Sequence, residues 1–147
     1  MSFIETIKEK AKQDIKTIIL PEGSDIRTLQ AASIALKEQY ANIIILGNNE
    51  EIQKLAFTNN VDISNATIIN PIESEMYKTY VQKFYELRKA KGVTIEKAEE
   101  LMKDETYFGM MMVKEGYGDG LVSGACHSTS DTLRPALQIL KTKPGTK

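Results

Sequence analysis

Short apolar runs separated by amphipathic stretches set the pattern of this chain. Thr17-Ile18-Ile19-Leu20 is β-branched and free of polar alternation, and Pro21-Glu22-Gly23 closes it. Asn42-Ile43-Ile44-Ile45-Leu46-Gly47 and Ala66-Thr67-Ile68-Ile69-Asn70-Pro71 repeat the pattern, and Gly120-Leu121-Val122 is a last, shorter case. Such runs predict parallel strands buried on both faces. Between them the spacing turns helical. Phe3, Ile4, Ile7 and Ala11, interleaved with Glu5, Lys8, Glu9 and Lys12, predict an amphipathic first helix. Ser24 or Asp25 is placed to cap a second helix through Lys37, with Leu29, Ala32, Ile34 and Leu36 as its inner face. Asn48 or Asn49 opens a third, which runs to Thr58.

The more polar middle predicts further helices. Ser74 to Lys91 reads as one long helix ending at Gly92, with Arg88, Lys89 and Lys91 where cations suit a helix C-terminus. Thr94 caps the next, and Glu105 to Lys114 is another, whose Met110, Met111 and Met112 read as core filler. A last helix is expected from about Ser130 to Lys141. Pro135 moves its start toward Asp131 or Thr132, or distorts its first turn. Lys143-Pro144-Gly145 ends it. Strands and helices alternating in this way predict an α/β domain, a mainly parallel sheet with helices on both faces.

Composition narrows the function classes. A chain of 147 residues with 41% apolar content suits one domain with an ordinary core. A net charge of −1 at 27% charged residues gives no electrostatic footprint for nucleic acid, and the absence of Trp removes the best stacking platform for single strands. Cys126 is the only cysteine, so no intrachain disulfide is possible; with His127 the only histidine, no zinc site is expected. Met1 to Asp14 lacks the apolar core of a secretory signal, and no run approaches the roughly 20 apolar residues of a membrane span. The expectation is a cytoplasmic protein with neither membrane nor nucleic-acid partner.

Candidate chemistry gathers late in the chain. Gly116-Tyr117-Gly118-Asp119-Gly120 is glycine-rich but precedes its strand, so it reads as a tight turn and not a phosphate loop. Ser123-Gly124-Ala125-Cys126-His127-Ser128-Thr129 follows a strand and leads into a helix, where open α/β sheets bind ligands. Small residues, hydroxyls and free N–H groups there suit an anion, with phosphate the natural candidate. Ser128 with Asp131 fits a helix cap as well as a ligand contact, and the two are compatible. Arg134 fits bidentate phosphate recognition as well as a helix-surface ion pair with Asp131. His127 and Ser128, adjacent in an extended loop, point in different directions and have no identifiable orienting acid, which argues against a Ser–His nucleophile. Cys126 reads as a small buried residue.

The run from Val122 to Gly145, containing Ser-Gly-Ala-Cys-His-Ser-Thr-Ser-Asp-Thr-Leu-Arg-Pro, closely resembles the phosphate acetyltransferase (phosphotransacetylase) family. Leu20-Pro21-Glu22-Gly23-Ser24-Asp25-Ile26-Arg27 and Leu87-Arg88-Lys89-Ala90-Lys91-Gly92 agree in register. The resemblance implies reversible acetyl transfer between acetyl-CoA and inorganic phosphate, giving acetyl phosphate and coenzyme A. It implies direct attack of the coenzyme A thiolate on acetyl phosphate, with no metal and no acyl-enzyme; coenzyme A is a substrate, not a bound cofactor. Arg134 and Arg88 are then the catalytic, substrate-binding arginines, and Ser128 and Thr129 hold phosphate oxygens. Family members are longer. The resemblance therefore implies that residues 1–147 are an N-terminal α/β domain, like the first domain of the isocitrate dehydrogenase-like two-domain fold. The second domain and a returning C-terminal segment would be missing, and with them the thiol-activating aspartate and a serine that stabilises the transition state. Such a chain is expected to be inactive alone and part of a homodimer when complete. The rival readings are a phosphate butyryltransferase, against which Ser-Gly-Ala-x-His-Ser-Thr speaks, and a noncatalytic anion-binding or interaction fragment.

Overall fold

Successive side chains of a strand point to opposite faces, so an uninterrupted apolar run is stable only with cover on both. The structure, a computed structural model, describes residues 15–122 and builds that arrangement. Strands β1 (Lys16–Leu20), β2 (Ala41–Leu46), β3 (Thr67–Ile69) and β4 (Gly120–Leu121) form one sheet in the order β3-β2-β1-β4. Every pairing is parallel, with Ile19 opposite Ile44 on one side and Leu121 on the other. Helices α1 (Ile26–Lys37) and α2 (Asn49–Thr58) connect the first three strands. Helices α3 (Tyr77–Arg88), α4 (Ile95–Met102) and α5 (Glu105–Lys114) lie between β3 and β4.

The two faces have separate cores. Leu20, Ile43 and Ile45 pack with Leu29 and Ala32 of α1 and Ile52 and Ala56 of α2. Ile19 and Leu46 pack with Tyr80 and Phe84 of α3, Ala98 and Met102 of α4, and Phe108 and Met111 of α5. Neighbouring residues of one strand thus serve opposite layers, the period of two that a pleated strand imposes. Residues 106–112 of α5 are all buried, so this helix has no solvent face in that stretch; Met110, Met111 and Met112 are core residues, as expected.

Helix starts follow the cap chemistry of the sequence. Asp25 caps α1 by accepting from the Arg27 N–H, Asn48 caps α2 through Glu51, and Thr94 caps α4 through Lys97. Asp104 accepts from the N–H groups of both Thr106 and Tyr107 at the start of α5. The glycine-rich segment before β4 is a turn with a structural task. The Asp119 carboxylate accepts from the Thr17 N–H at 2.8 Å while its own N–H donates to the Thr17 carbonyl, which aligns β4 with β1.

Two expectations need correction. Ile34 is not on the inner face of α1; it is 61% exposed. Leu29, Ala32 and Leu36 follow the three- and four-residue spacing of one stripe, whereas Ile34 lies two residues from Ala32, about 200° round the helix. The long helix from Ser74 to Lys91 is shorter and irregular at both ends. Pro71–Glu73 forms a 3₁₀ turn, the Ser74 hydroxyl accepts from the Met76 N–H, and α-helix begins only at Tyr77. Beyond Arg88 the last turn tightens to 3₁₀ over Lys89–Lys91 and stops at Gly92, whose φ of 90° is left-handed. The helix expected at Phe3–Ala11 and the one expected from about Ser130 to Lys141 lie outside the described residues.

Candidate functional site

Strand order decides where a ligand fits. From β1 the chain moves outward to β2 and β3, then returns across the sheet to place β4 on the opposite side of β1. The order reverses between β1 and β4, and the crevice outside the carboxyl ends of strands at such a point is the usual ligand site of open α/β sheets. Two sequence motifs meet there. β1 runs directly into Pro21-Glu22-Gly23, and β4 into Val122, whose N–H donates to the Ile19 carbonyl at 3.0 Å. Ser123 is the next residue in the sequence. Ser128, Thr129 and Arg134 themselves lie outside the described residues, as do Cys126 and His127.

The Pro21-Glu22-Gly23 corner is buried throughout. A Cβ on Gly23 would stand 2.7 Å from both the Leu46 carbonyl oxygen and Ile52 Cδ1, so only glycine lets this corner pack onto the end of β2. Glu22 is 3% exposed, a carboxylate held inside the fold beside the switch point. Arg27 is tied to the start of its own helix, its guanidinium 2.7 Å from the Asp25 carboxylate. Hydrogen bonds from Arg27 hold the Asp25 carboxyl below its ordinary range, partly offset by desolvation and by the charge of Glu22.

Arg88 is the last residue of α3. It shares a stripe with Tyr80 and Phe84 at four-residue spacing. Tyr80 packs on Phe108 with ring centroids 5.0 Å apart, and Phe84 meets Tyr107 edge-on at 5.8 Å. Tyr107 belongs to the first turn of α5, and that end of α5 lies over the carboxyl edge: Glu105 Oε1 is 4.0 Å from where a Cβ on Gly47 would be. One helical turn beyond Phe84, about 5.4 Å, the stripe reaches Arg88. Its Nε is buried and has no hydrogen-bond partner among the described residues. A buried guanidinium N–H without an acceptor is costly, and an anion is the acceptor that suits it.

A further cleft lies elsewhere among the described residues. About 580 Å³ opens beside β3, walled by Asn49, Gln53, Asn70, Glu73 and Glu75 among others. Two carboxylates and no lysine or arginine make it unsuited to an anion. Among the described residues no group of three His, Cys, Asp or Glu side chains is arranged to hold a metal, and no helix is long and apolar enough to cross a membrane. Sequence reasoning passed over one polar residue here. Thr106, 1% exposed in an otherwise apolar stretch, also has a hydroxyl without a partner among the described residues. Its signal was a lone hydroxyl residue three positions before Gly109, on the same helical stripe.

Residues 2–147 match the family model described as phosphate acetyl/butaryl transferase. The chain belongs to this family. A phosphate acetyltransferase of Thermoanaerobacterium thermosaccharolyticum is 58% identical over 147 residues, all of this chain and 44% of the relative. The phosphate acetyltransferase of Acetivibrio thermocellus is 52% identical over the same span and share. Among solved structures, a phosphotransacetylase from Streptococcus pyogenes gives a TM-score of 0.92 at 43% identity, covering 100% of this chain and 45% of that one. EutD phosphotransacetylase from Staphylococcus aureus gives 0.88 at 48% identity, covering 98% and 43%. The chain thus spans less than half the length of the relatives it matches. As a phosphate acetyl/butaryl transferase family member it carries the family's parallel sheet and the approach to its switch point.

Proposed function

We propose that this chain supplies the phosphate-side wall of a phosphate acetyltransferase, which moves an acetyl group between acetyl-CoA and inorganic phosphate. The observation that carries the reading is the pairing of β4 with β1 at the switch point, directly before the Ser123–Thr129 sequence, in a chain 58% identical to a phosphate acetyltransferase. In this reading Ser128 and Thr129 donate hydrogen bonds to phosphate oxygens, and Arg134 and Arg88 take the charge on the phosphoryl group. The coenzyme A thiolate attacks the acetyl carbon of acetyl phosphate; the C–S bond forms and the C–O bond to phosphate breaks. Negative charge then builds on the carbonyl oxygen and the departing phosphate, where fixed cations act most strongly in a site closed to water. No metal or bound cofactor enters the scheme.

Residues 1–147 form the N-terminal α/β domain in this proposal, with a second domain closing the cleft as in the isocitrate dehydrogenase-like arrangement. The groups that activate the thiol come from that second part, and the complete protein works as a cytoplasmic homodimer. Acetyl is favoured over butyryl because Ser-Gly-Ala-x-His-Ser-Thr follows the acetyl pattern. Steady-state kinetics of the complete gene product test the reading. Arg134→Ala is expected to lower kcat/KM for acetyl phosphate by about 100-fold or more, the scale of removing one group that meets developing charge. Unchanged kinetics would remove Arg134 from the site, and a preference for butyryl-CoA would reassign the acyl group.

A further inference from the structure

Strand β3 ends the described sheet, with β2 on one side of it and the cleft of about 580 Å³ on the other. Ile68 packs into the core shared with α1 and α2, and Ile69 into the core shared with α3, α4 and α5, yet both line that cleft. Side chains that point to opposite faces of a sheet share one cleft only where it runs round the edge of the strand. Asn49 and Gln53 of α2 wall it on one face, and the Glu73–Met76 segment, which leads into α3, walls it on the other. The backbone at the floor of this trough is turned outward. The Ile69 carbonyl accepts from the Gly47 N–H at 3.0 Å, so Ile69 bonds toward β2. Bonding direction alternates along a parallel strand, and Ile68 therefore presents both its N–H and its C=O to the trough.

An open strand edge is where an extended segment adds to a sheet. β3 has three residues, so main-chain pairing alone is brief; the amides of Asn49, Gln53 and Asn70 supply further donors and acceptors along the walls. Charge selects the partner. Glu73 and Glu75 stand exposed on one wall, and no lysine or arginine is among the described lining residues. Phe57, one turn beyond Gln53 on the same helix face, is 85% exposed, and Ile72, beside Glu73, is 57% exposed, so apolar side chains also find contacts here. We propose that this edge is a docking surface for an extended, lysine- or arginine-bearing segment of another protein, which pairs with Ile68 and sets its cations against Glu73 and Glu75. A second copy of the chain fits less well, because it brings the same two carboxylates and no cation to the joint. β2 and β1 separate this edge from β4, so the inference does not depend on the acetyltransferase reading.

The test uses the complete gene product and a dye-labelled peptide of alternating valine and lysine, followed by fluorescence anisotropy. Saturable binding is expected. It should weaken about tenfold when glutamate replaces lysine in the peptide, or in the protein variant carrying Glu73→Gln and Glu75→Gln, the scale of two exposed ion pairs. N-methylation of alternate peptide groups should abolish binding, since it removes strand pairing and leaves the charges in place. Ile68→Pro removes the outward N–H without touching the β2 ladder, and it should abolish binding while the circular dichroism spectrum stays native. If the proline variant does not fold, the double glutamine variant and the N-methylated peptide decide. Equal binding of the lysine and glutamate peptides, or undiminished binding of the N-methylated one, would overturn the assignment. No binding at all would likewise overturn it, as would sedimentation showing self-association that Ile68→Pro removes, which gives the edge to a second copy.

Discussion

At Pro21-Glu22-Gly23 a run that carries the family resemblance is explained by packing before any ligand is invoked. The close neighbour of Gly23 is a backbone oxygen, that of Leu46, which cannot swing aside as a side-chain methyl can. Gly23→Ala should therefore cost about 2 kcal/mol, within the range for overpacking a close-packed site, and urea unfolding should show it as a lowered midpoint. An unchanged midpoint would mean that the corner relaxes freely. Arg88 and Thr106 present the opposite case. Each keeps a buried polar atom that the described fold leaves unpartnered, and such exceptions point to function more readily than satisfied groups do. Arg88 stood out in the sequence because it lies in the Leu-Arg-Lys run that carries the resemblance. Thr106 was not, because a single threonine in an apolar helix reads as tolerated polarity until its surroundings are known.

At the scale of elements, helix α5 is the one packed most deeply against the sheet over residues 106–112. Its burial and its run antiparallel to the sheet set the contact of Gly109 with Leu121, Leu46 and Ile19. The Asp104 cap fixes where that helix begins by serving two N–H groups, at 2.8 and 3.2 Å. Asp104→Ala should lower stability by about 1–2 kcal/mol, and Asp104→Asn should recover most of it, because asparagine caps nearly as well. Chemical denaturation of the two variants checks this, and equal losses would show that charge and not capping is at work. Strand runs and caps were readable from sequence because both are local: four residues decide a cap, and a β-branched run decides a strand. The start of α3 was not, because the 3₁₀ turn at Pro71 and the Ser74 hydroxyl bond delay the helix by three residues. Ile34 was misplaced by angle and not by burial tendency; a step of two residues lands on the far side of the helix.

For the whole molecule, the decisive feature is the neighbour relation of β1 and β4, which residue spacing does not reveal. A hundred residues separate them, and their pairing depends on the crossover of α3, α4 and α5 over one face of the sheet. Only that pairing brings the Pro-Glu-Gly corner and Val122, which directly precedes Ser123 in the sequence, to one place. The roles of Ser128, Thr129 and Arg134 belong to the proposal, and the relatives extend to more than twice this length. Holding the anion and transferring the acetyl group are separate abilities, and we propose only the first for these 147 residues. Titration of the 147-residue chain with inorganic phosphate, followed by NMR, tests that assignment most directly. The account predicts saturable shifts centred on Ser128, Thr129, Arg134 and Arg88, weakened by Arg134→Ala; a folded chain with no shifts at these residues at millimolar phosphate would contradict it.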